Sequence, residues 1–289
     1  MTDHLKGLLI TTLGVLLVIP DSLFVRLIVA EPMVISFWRA MTSGVIILIV
    51  VLATQGVGGF RAVAGTGWRG ALYVAIIAST VPAFVLAITN TSVANVVFIF
   101  ASMPIFATFF GRLLLGEPVR ARMVWTMLVV AAGLAIIAYG SGSHATASWK
   151  GDLWALYISV AYALALTVLR QLKHVSMIPA IPVAFIGVAL VIWVFADPVP
   201  AFQIQWPLFI GHGVFIGAAT CLLAVGPRYI SGAEVALLIL LESVLAPLLV
   251  WAVVGEHPGH WALIGGAVVI GALLVSNLVA MRRSGQVSA

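Results

Sequence analysis

Long apolar stretches follow one another through the whole 289-residue chain, and they constrain its fold more than any other feature. Hydrophobic residues make up 63% of the chain and charged residues only 8%. A soluble globular protein carries about 25% charged residues, and a soluble core of this length would not bury so much apolar surface. The excess is therefore expected to face lipid. The same composition argues against disorder, which needs low hydrophobicity and high charge.

A helix of about 20 apolar residues crosses the hydrocarbon core of a bilayer. The apolar runs do not alternate with polar residues as the strands of a membrane barrel do. We therefore predict an all-α membrane protein with ten transmembrane helices, the first retained rather than cleaved as a signal peptide. The predicted spans are 7–29, 34–54, 70–90, 93–115, 123–140, 153–170, 178–196, 207–226, 232–254 and 261–281.

The distribution of Lys and Arg gives these spans an orientation. With ten spans, both termini and the even-numbered loops share one side of the membrane, here called the even-loop face, and the other side is the odd-loop face. Of the 14 Lys and Arg residues, only Arg26, Arg39 and Lys150 fall toward the odd-loop face. Because basic residues collect in cytoplasmic loops, we expect both termini in the cytoplasm and the protein in the cell (inner) membrane. The same rule accounts for the net charge of +5 without a nucleic-acid partner.

Several residues recur at a nearly constant spacing, which indicates an internal repeat. The matches are Lys6-Gly7 with Lys150-Gly151 and Arg26 with Arg170 at 144 residues, Ala94 with Ala233 and Gly116-Glu117 with Gly255-Glu256 at 139, and Trp68 with Trp206 at 138. We therefore divide the chain into residues 1–145 and 146–289, with five spans each. Because five is odd, the second unit should enter the membrane from the opposite face. Inverted repeats of this kind are common in transporters.

Residues 91–140 contain Ala94, Pro104, Gly116-Glu117 and Gly133, and through them this segment resembles the EamA-type repeat of the drug/metabolite transporter superfamily. The second copy, residues 230–274, is similar at Ala233, Gly255-Glu256 and Gly265, and Arg39 also fits the family pattern. It departs from the first copy where Ser243 replaces the mid-span proline and Pro247 follows, which could shift the bend of this helix.

The resemblance covers essentially the whole chain and implies ten helices around a central cavity between two five-helix halves. It also implies a secondary transporter or facilitator that exports amino acids or related small metabolites by alternating access. Some family members export aromatic amino acids, and others carry sugar phosphates or nucleotide sugars. These substrates, and cationic drugs, stay open as alternatives. A membrane-embedded, lipid-handling enzyme on the same scaffold is a further alternative.

Ionisable residues inside the bilayer cost about 2.5–3.5 kcal/mol each on insertion scales, so each one is expected to have a structural partner or a functional role. Asp21 follows Pro20, which favours a kink in the first span. Its carboxylate either binds a substrate ammonium group or a proton, or forms an ion pair with Arg26 or Arg39. The two arginines are candidates for a gate or an ion pair, which for Arg39 could also involve Glu31. They are also candidates for binding a substrate carboxylate or for snorkelling to the interface.

The second repeat carries the other ionisable candidates. Glu242 lies at the centre of the ninth span beside Ser243, with no Lys or Arg in that span. A buried carboxylate without a partner tends to stay protonated, which suits proton coupling or a neutral hydrogen-bonding role. Glu234 is a gate or interfacial candidate at the even-loop end of the same span. His212 is either a packing residue or a candidate for the cavity.

Uncharged residues at helical spacing mark faces that suit either a water-filled cavity or close helix packing. The cavity candidates of this kind are Ser79 and Ala83 in the third span, Asn95, Phe98 and Ser102 in the fourth, and Tyr157 and Tyr162 in the sixth. No phosphate loop, metal-ligand spacing or catalytic triad is recognisable, so we expect no enzymatic activity, cofactor or metal. The expected partners are a small-molecule substrate and the lipid bilayer; a monomer is plausible, although the oligomeric state stays open.

Overall fold

In a computed structural model that describes residues 3–119, 121–141, 148–230 and 232–287, the chain is a bundle of helices, and these residues contain no strand. The helices are α1 (Asp3–Val18), α2 (Asp21–Leu27), α3 (Pro32–Ala64), α4 (Trp68–Asn90), α5 (Val93–Phe100), α6 (Met103–Leu115), α7 (Ala121–Ser141), α8 (Trp149–Gln171), α9 (Ala180–Trp193), α10 (Val199–Val225), α11 (Gly232–Val254) and α12 (His260–Val287). A 3-10 turn, Gly226–Arg228, follows α10.

Nine segments of the described chain are long and apolar enough to cross a membrane, and two of them are broken helices, α1 with α2 and α5 with α6. The remaining predicted span, the seventh (178–196), corresponds to α9, which has 14 residues and is therefore about 21 Å long at 1.5 Å per residue. The described part of the chain thus holds nine to ten apolar helices of the kind that a membrane protein requires.

Both broken spans belong to the first repeat. The first span breaks at Ile19-Pro20, where proline removes a helical hydrogen bond, so that Asp21 begins a new helix. The fourth span breaks at Ala101-Ser102, just before Pro104. The equivalent spans of the second repeat, α8 and α11, are continuous, although α11 contains Pro247. The altered proline position in the second copy therefore leaves its helix unbroken.

Helix contacts come in pairs that are related by exchange of the two repeats. The contact of α4 with α8 has its counterpart in that of α10 with α1, and the contact of α3 with α10 in that of α9 with α4. Glycines at equivalent positions make equivalent close approaches, since Gly7 lies against Tyr229 and Ile230, and Gly151 lies against Asn90 and Thr91. Each repeat therefore begins with a helix that packs on the loop between the third and fourth spans of the other repeat.

Contacts between chain ends and loops also fall into two groups. His4 contacts Glu234, and Gly59 approaches Pro179; all four lie on the predicted even-loop face. The Trp38 indole donates a hydrogen bond to Pro198 O, and the Gln205 amide bonds both the N–H and the carbonyl of Val29 near the predicted odd-loop face. This grouping is what two inverted five-span units would produce.

Candidate functional site

A cavity of about 420 Å³ lies in the centre of the bundle, between helices of both repeats. Its walls are formed by Val15, Val18, Asp21, Arg39, Tyr73, Ile77, Thr80, Phe84, Val96, Val97, Phe100, Met103, Ile158, Tyr162, Leu166, Ile181, Phe185, Ile216, Thr220, Leu223, Ala224, Ile239 and Glu242. Most of these side chains are apolar or aromatic. The volume lies within the range of small-molecule sites, about 300–1,000 Å³.

The cavity reaches the even-loop end of the bundle. Leu223 and Ala224 lie within two residues of the end of α10, and Ile181 is the second residue of α9. Toward the odd-loop end, the lining stops at Val96 and Val97, the fourth and fifth residues of α5. The cavity therefore extends toward the even-loop face and ends before the odd-loop face.

Asp21 and Arg39 form a two-pronged ion pair in the wall of this cavity. Arg39 Nε donates to Asp21 Oδ1 at 2.9 Å, and Arg39 Nη2 donates to Asp21 Oδ2 at 2.6 Å. His212 Nε2 lies 2.5 Å from Asp21 Oδ1, and the histidine ring stacks on Phe24 at 5.3 Å between centroids. Of the two partners that the sequence allowed for Asp21, the structure pairs it with Arg39. Three charged or polar groups from α2, α3 and α10 are thereby joined.

His212 supports the ion pair from behind rather than facing the cavity. It is fully buried and is not among the lining residues. Its Nδ1 atom has no hydrogen-bond partner in the described structure, so the ring is oriented by the Nε2 contact with Asp21 and by stacking on Phe24. The guanidinium of Arg39 also lies over the Phe84 ring, 4.9 Å from the centroid.

Glu242 lines the same cavity from α11, in the other repeat. Among the described residues, its carboxylate has neither an ion pair nor a hydrogen bond, although Asp21 and Arg39 are near enough to influence it electrostatically. Tyr162 from α8 adds a half-buried phenol, and its ring packs edge-on against Phe100 at 5.4 Å. The cavity therefore combines one hydrogen-bonded ion pair with one carboxylate that has no partner among the described side chains.

The odd-loop end of the bundle is closed by a network of polar side chains. Arg26 Nε lies 2.7 Å from Glu256 Oε2, and Arg26 Nη2 donates to Thr91 O at 2.8 Å. Glu256 Oε1 accepts from the Val93 N–H at 2.7 Å. Asp152 Oδ1 accepts from the Thr91 hydroxyl at 2.8 Å and from the Asn95 amide at 3.0 Å. The break between α4 and α5 is thus fixed by side chains of the second repeat.

Aromatic side chains add a second closure near the same end. Trp38 stacks on Phe202 with 3.9 Å between ring centroids, and it also contacts Phe37 and Phe209. At the even-loop end the charged and polar contacts are more exposed to solvent. Glu234 is held by His4 at 2.7 Å.

Most of the other candidates lie outside the cavity wall. The Tyr157 hydroxyl donates to Ser79 Oγ at 2.7 Å, and Tyr157 is 41% exposed on the outside of the bundle. Ala83 is buried in the core, and Asn95 belongs to the odd-loop network described above. These four side chains therefore have packing or interhelical contacts instead of an open surface toward the cavity.

Three further candidates are buried between helices. Phe98 packs closely on Gly266 of α12. Ser102 bonds the carbonyl of Ile99 and meets Ser159 at 3.2 Å. Ser243 is also buried and is not among the lining residues. Helical spacing placed these residues on one face, and that face is a contact between helices.

The cavity includes polar residues that sequence reasoning missed. Tyr73, Thr80 and Thr220 line it, and all three lie within apolar spans. Glu256 was singled out only as a mark of the repeat, yet it is a partner of Arg26. The signal for that pairing was present, because Arg26 and Glu256 both recur in the other repeat. Among the described residues, no group of three or more His, Cys, Asp or Glu side chains is arranged to hold a metal ion.

Comparison with known proteins identifies the family. The sequence model of the EamA-like transporter family matches the chain twice, at residues 5–139 and 149–278. A solved crystal structure of a protein superposes with a TM-score of 0.65 at 18% identity, covering 96% of this chain and 98% of the other, which shows a shared fold. No curated protein matches the sequence significantly. With two matches that span most of its length, the chain belongs to the EamA-like transporter family.

Proposed function

We propose that this protein is a secondary transporter or facilitator that exports amino acids or related small metabolites by alternating access through the central cavity. Membership of the family makes it a membrane transporter of small molecules. The observation that carries the finer proposal is the composition of the cavity wall: an unpaired carboxylate, an Arg–Asp pair and apolar rings surround about 420 Å³.

Each part of a zwitterionic, apolar amino acid has a complementary group in this wall. Glu242 offers a carboxylate to the ammonium group, or it releases a proton when the ammonium group binds. Arg39 offers its guanidinium to the substrate carboxylate. The substrate and Asp21 would then both bind this one cation. Phe84, Phe100 and their apolar neighbours suit a nonpolar or aromatic side chain.

The charge balance of the site favours substrates with a positive group. Asp21 and Arg39 neutralise each other, so Glu242 is the carboxylate left unpaired among the lining residues. A sugar phosphate or a nucleotide sugar carries negative charge and would need additional cations, and Arg39 is the cation in the wall. These alternatives are therefore less well supported than an amino acid or an organic cation.

Flux into liposomes containing the purified protein tests the proposal. We expect uptake of apolar or aromatic amino acids, little uptake of the hydroxy acids that lack the amino group, and little uptake of the methyl esters that lack the carboxylate. Transport of the esters as well as the free acids would favour the organic-cation alternative. Absence of flux for every amino acid tested would refute the amino-acid proposal.

A further inference from the structure

The two Arg–Glu ion pairs of the bundle are related by the repeat. Arg26 and Arg170 occupy equivalent positions, and so do Glu117 and Glu256. Each glutamate follows a glycine with a left-handed backbone, Gly116 at φ 69° and Gly255 at φ 75°, so the same turn presents both carboxylates. Arg26 of the first repeat pairs with Glu256 of the second, and Arg170 of the second pairs with Glu117 of the first. Both pairs therefore join one repeat to the other.

These equivalent pairs have different environments. The Arg26 and Glu256 side chains are 20% and 11% exposed, whereas those of Arg170 and Glu117 are 51% and 50% exposed. The first contact measures 2.7 Å and is extended by bonds to the backbone at Thr91 and Val93. The second is a single contact of 3.1 Å beside a cavity of about 320 Å³. Removing one partner of a mostly buried and networked pair is costly, whereas an exposed pair contributes little to stability.

The asymmetry of the pairs agrees with the shape of the central cavity. The tight pair lies at the odd-loop end, where the cavity lining stops, and the loose pair lies at the even-loop end, to which the cavity extends. Equivalent ion pairs would be expected to have similar burial if both ends of the bundle had the same conformation. Their inequality indicates that one end is closed and the other is open.

We propose, on the basis of the transport function above, that these crosswise ion pairs are the two alternating gates of the transporter. The Arg26–Glu256 gate is closed and the Arg170–Glu117 gate is open in this structure, which therefore represents a state that faces the even-loop side. In the opposite state the two repeats exchange conformations, so Arg170–Glu117 becomes buried and Arg26–Glu256 opens.

Thiol accessibility tests this proposal without a substrate. The parent protein carries Cys221→Ser, which removes its single cysteine, and Phe100→Cys, a cavity position at the end of α5. The probe is a membrane-impermeant maleimide added to either side of oriented vesicles. Gly58→Cys and Lys150→Cys, both exposed on opposite predicted faces, serve as markers of side. We expect the parent to react mainly from the Gly58 side.

The two glutamates provide matched variants with opposite expectations. Glu256→Gln should raise labelling of Phe100→Cys from the Lys150 side by about tenfold, the effect of a modest shift in a two-state equilibrium. Glu117→Gln should lower labelling from that side, because it weakens the state that closes the even-loop end. The charge exchange Arg26→Glu with Glu256→Arg should restore the parent pattern. Equal changes in both variants, or none, would overturn the proposal.

If Glu256→Gln or Glu117→Gln does not fold, cross-linking of the same residue pairs tests the proposal instead. A short bifunctional thiol reagent joining Arg26→Cys to Glu256→Cys should preserve labelling from the Gly58 side, and it should prevent any labelling from the Lys150 side. The link between Glu117→Cys and Arg170→Cys should have the reverse effect. Labelling that is indifferent to both links would refute the gates, while the amino-acid proposal would still be judged separately by flux.

Discussion

Arg39 binds Asp21 through both carboxylate oxygens, at 2.9 and 2.6 Å, in the wall of the central cavity. The arginine comes from the second predicted span and the aspartate from the break in the first, so the pair fixes the position of that break. His212 adds a third contact from the second repeat. A charge inside the membrane is tolerated when it is paired and hydrogen-bonded in this way.

Removing one member of the pair should destabilise the protein. Arg39→Gln leaves Asp21 as a buried charge with only His212 beside it, which is expected to cost about 3–5 kcal/mol of unfolding free energy. The double variant Asp21→Asn/Arg39→Gln should lose less, because neither residue then carries a charge. Denaturant unfolding of the purified protein in detergent measures both effects.

The exposed loop residue Glu31 provides the matched control. Glu31→Gln should change the unfolding free energy by less than about 0.5 kcal/mol. If Arg39→Gln unfolded at the same denaturant concentration as Glu31→Gln, the ion pair would have no role in stability. A double variant no more stable than Arg39→Gln alone would show that the effect does not come from the unpaired charge.

Glu242→Gln should abolish any stimulation of flux by a pH gradient. The glutamine keeps the shape of the side chain, but it cannot exchange a proton or pair with an ammonium group. Glu242→Asp keeps the carboxylate and should retain part of the activity. Initial rates of uptake with and without a gradient, at matched protein content, measure the difference. An unchanged response in Glu242→Gln would exclude this carboxylate as a coupling group.

Glycines on α12 should differ sharply in their tolerance of alanine. A Cβ at Gly265 would lie 2.6 Å from the carbonyl oxygen of Gly133 on α7, whereas a Cβ at Gly271 meets nothing within 4 Å. Close approach of helix backbones through small residues is a common packing device in membranes. We expect Gly265→Ala to cost about 1–3 kcal/mol. Gly271→Ala should be neutral or stabilise by up to about 1 kcal/mol.

Thermal unfolding of the two alanine variants in the same detergent compares them directly. Equal midpoints would show that α7 and α12 can separate slightly at little cost in stability. A lower midpoint for Gly271→Ala would contradict the open space found around Gly271. Both residues lie on one helix, so differences in insertion or helix propensity largely cancel.

Labelling from the two sides of the membrane checks the predicted spans. In a Cys221→Ser background, Gly58→Cys and Lys150→Cys should react from opposite sides, because three predicted spans lie between the second loop and the beginning of the sixth span, and an odd number of crossings changes the side. The positive-inside rule further predicts that Gly58→Cys reacts from the cytoplasmic side. Reaction of both positions from the same side would refute the ten-span arrangement.

Much of the fold could be predicted because membrane helices are specified locally. About 20 apolar residues make a span wherever they occur, and Pro20 and Pro104 lie next to the observed helix breaks. The site was less predictable. Helical spacing grouped Ser79 with Ala83, and Asn95 with Phe98, but it does not tell whether a face meets a neighbouring helix or open space.

The sequence by itself determined the helical membrane class, the family-type repeat and the short set of ionisable residues whose placement within the membrane is costly. Only the tertiary structure decided that Asp21 pairs with Arg39 rather than Arg26, that Arg26 pairs with Glu256, and that Glu242 is left facing the cavity. The physical reason is that charge and hydropathy are properties of each segment, whereas an ion pair depends on which helices pack together. Those contacts join residues as far apart as Arg26 and Glu256, and no spacing within one span encodes them.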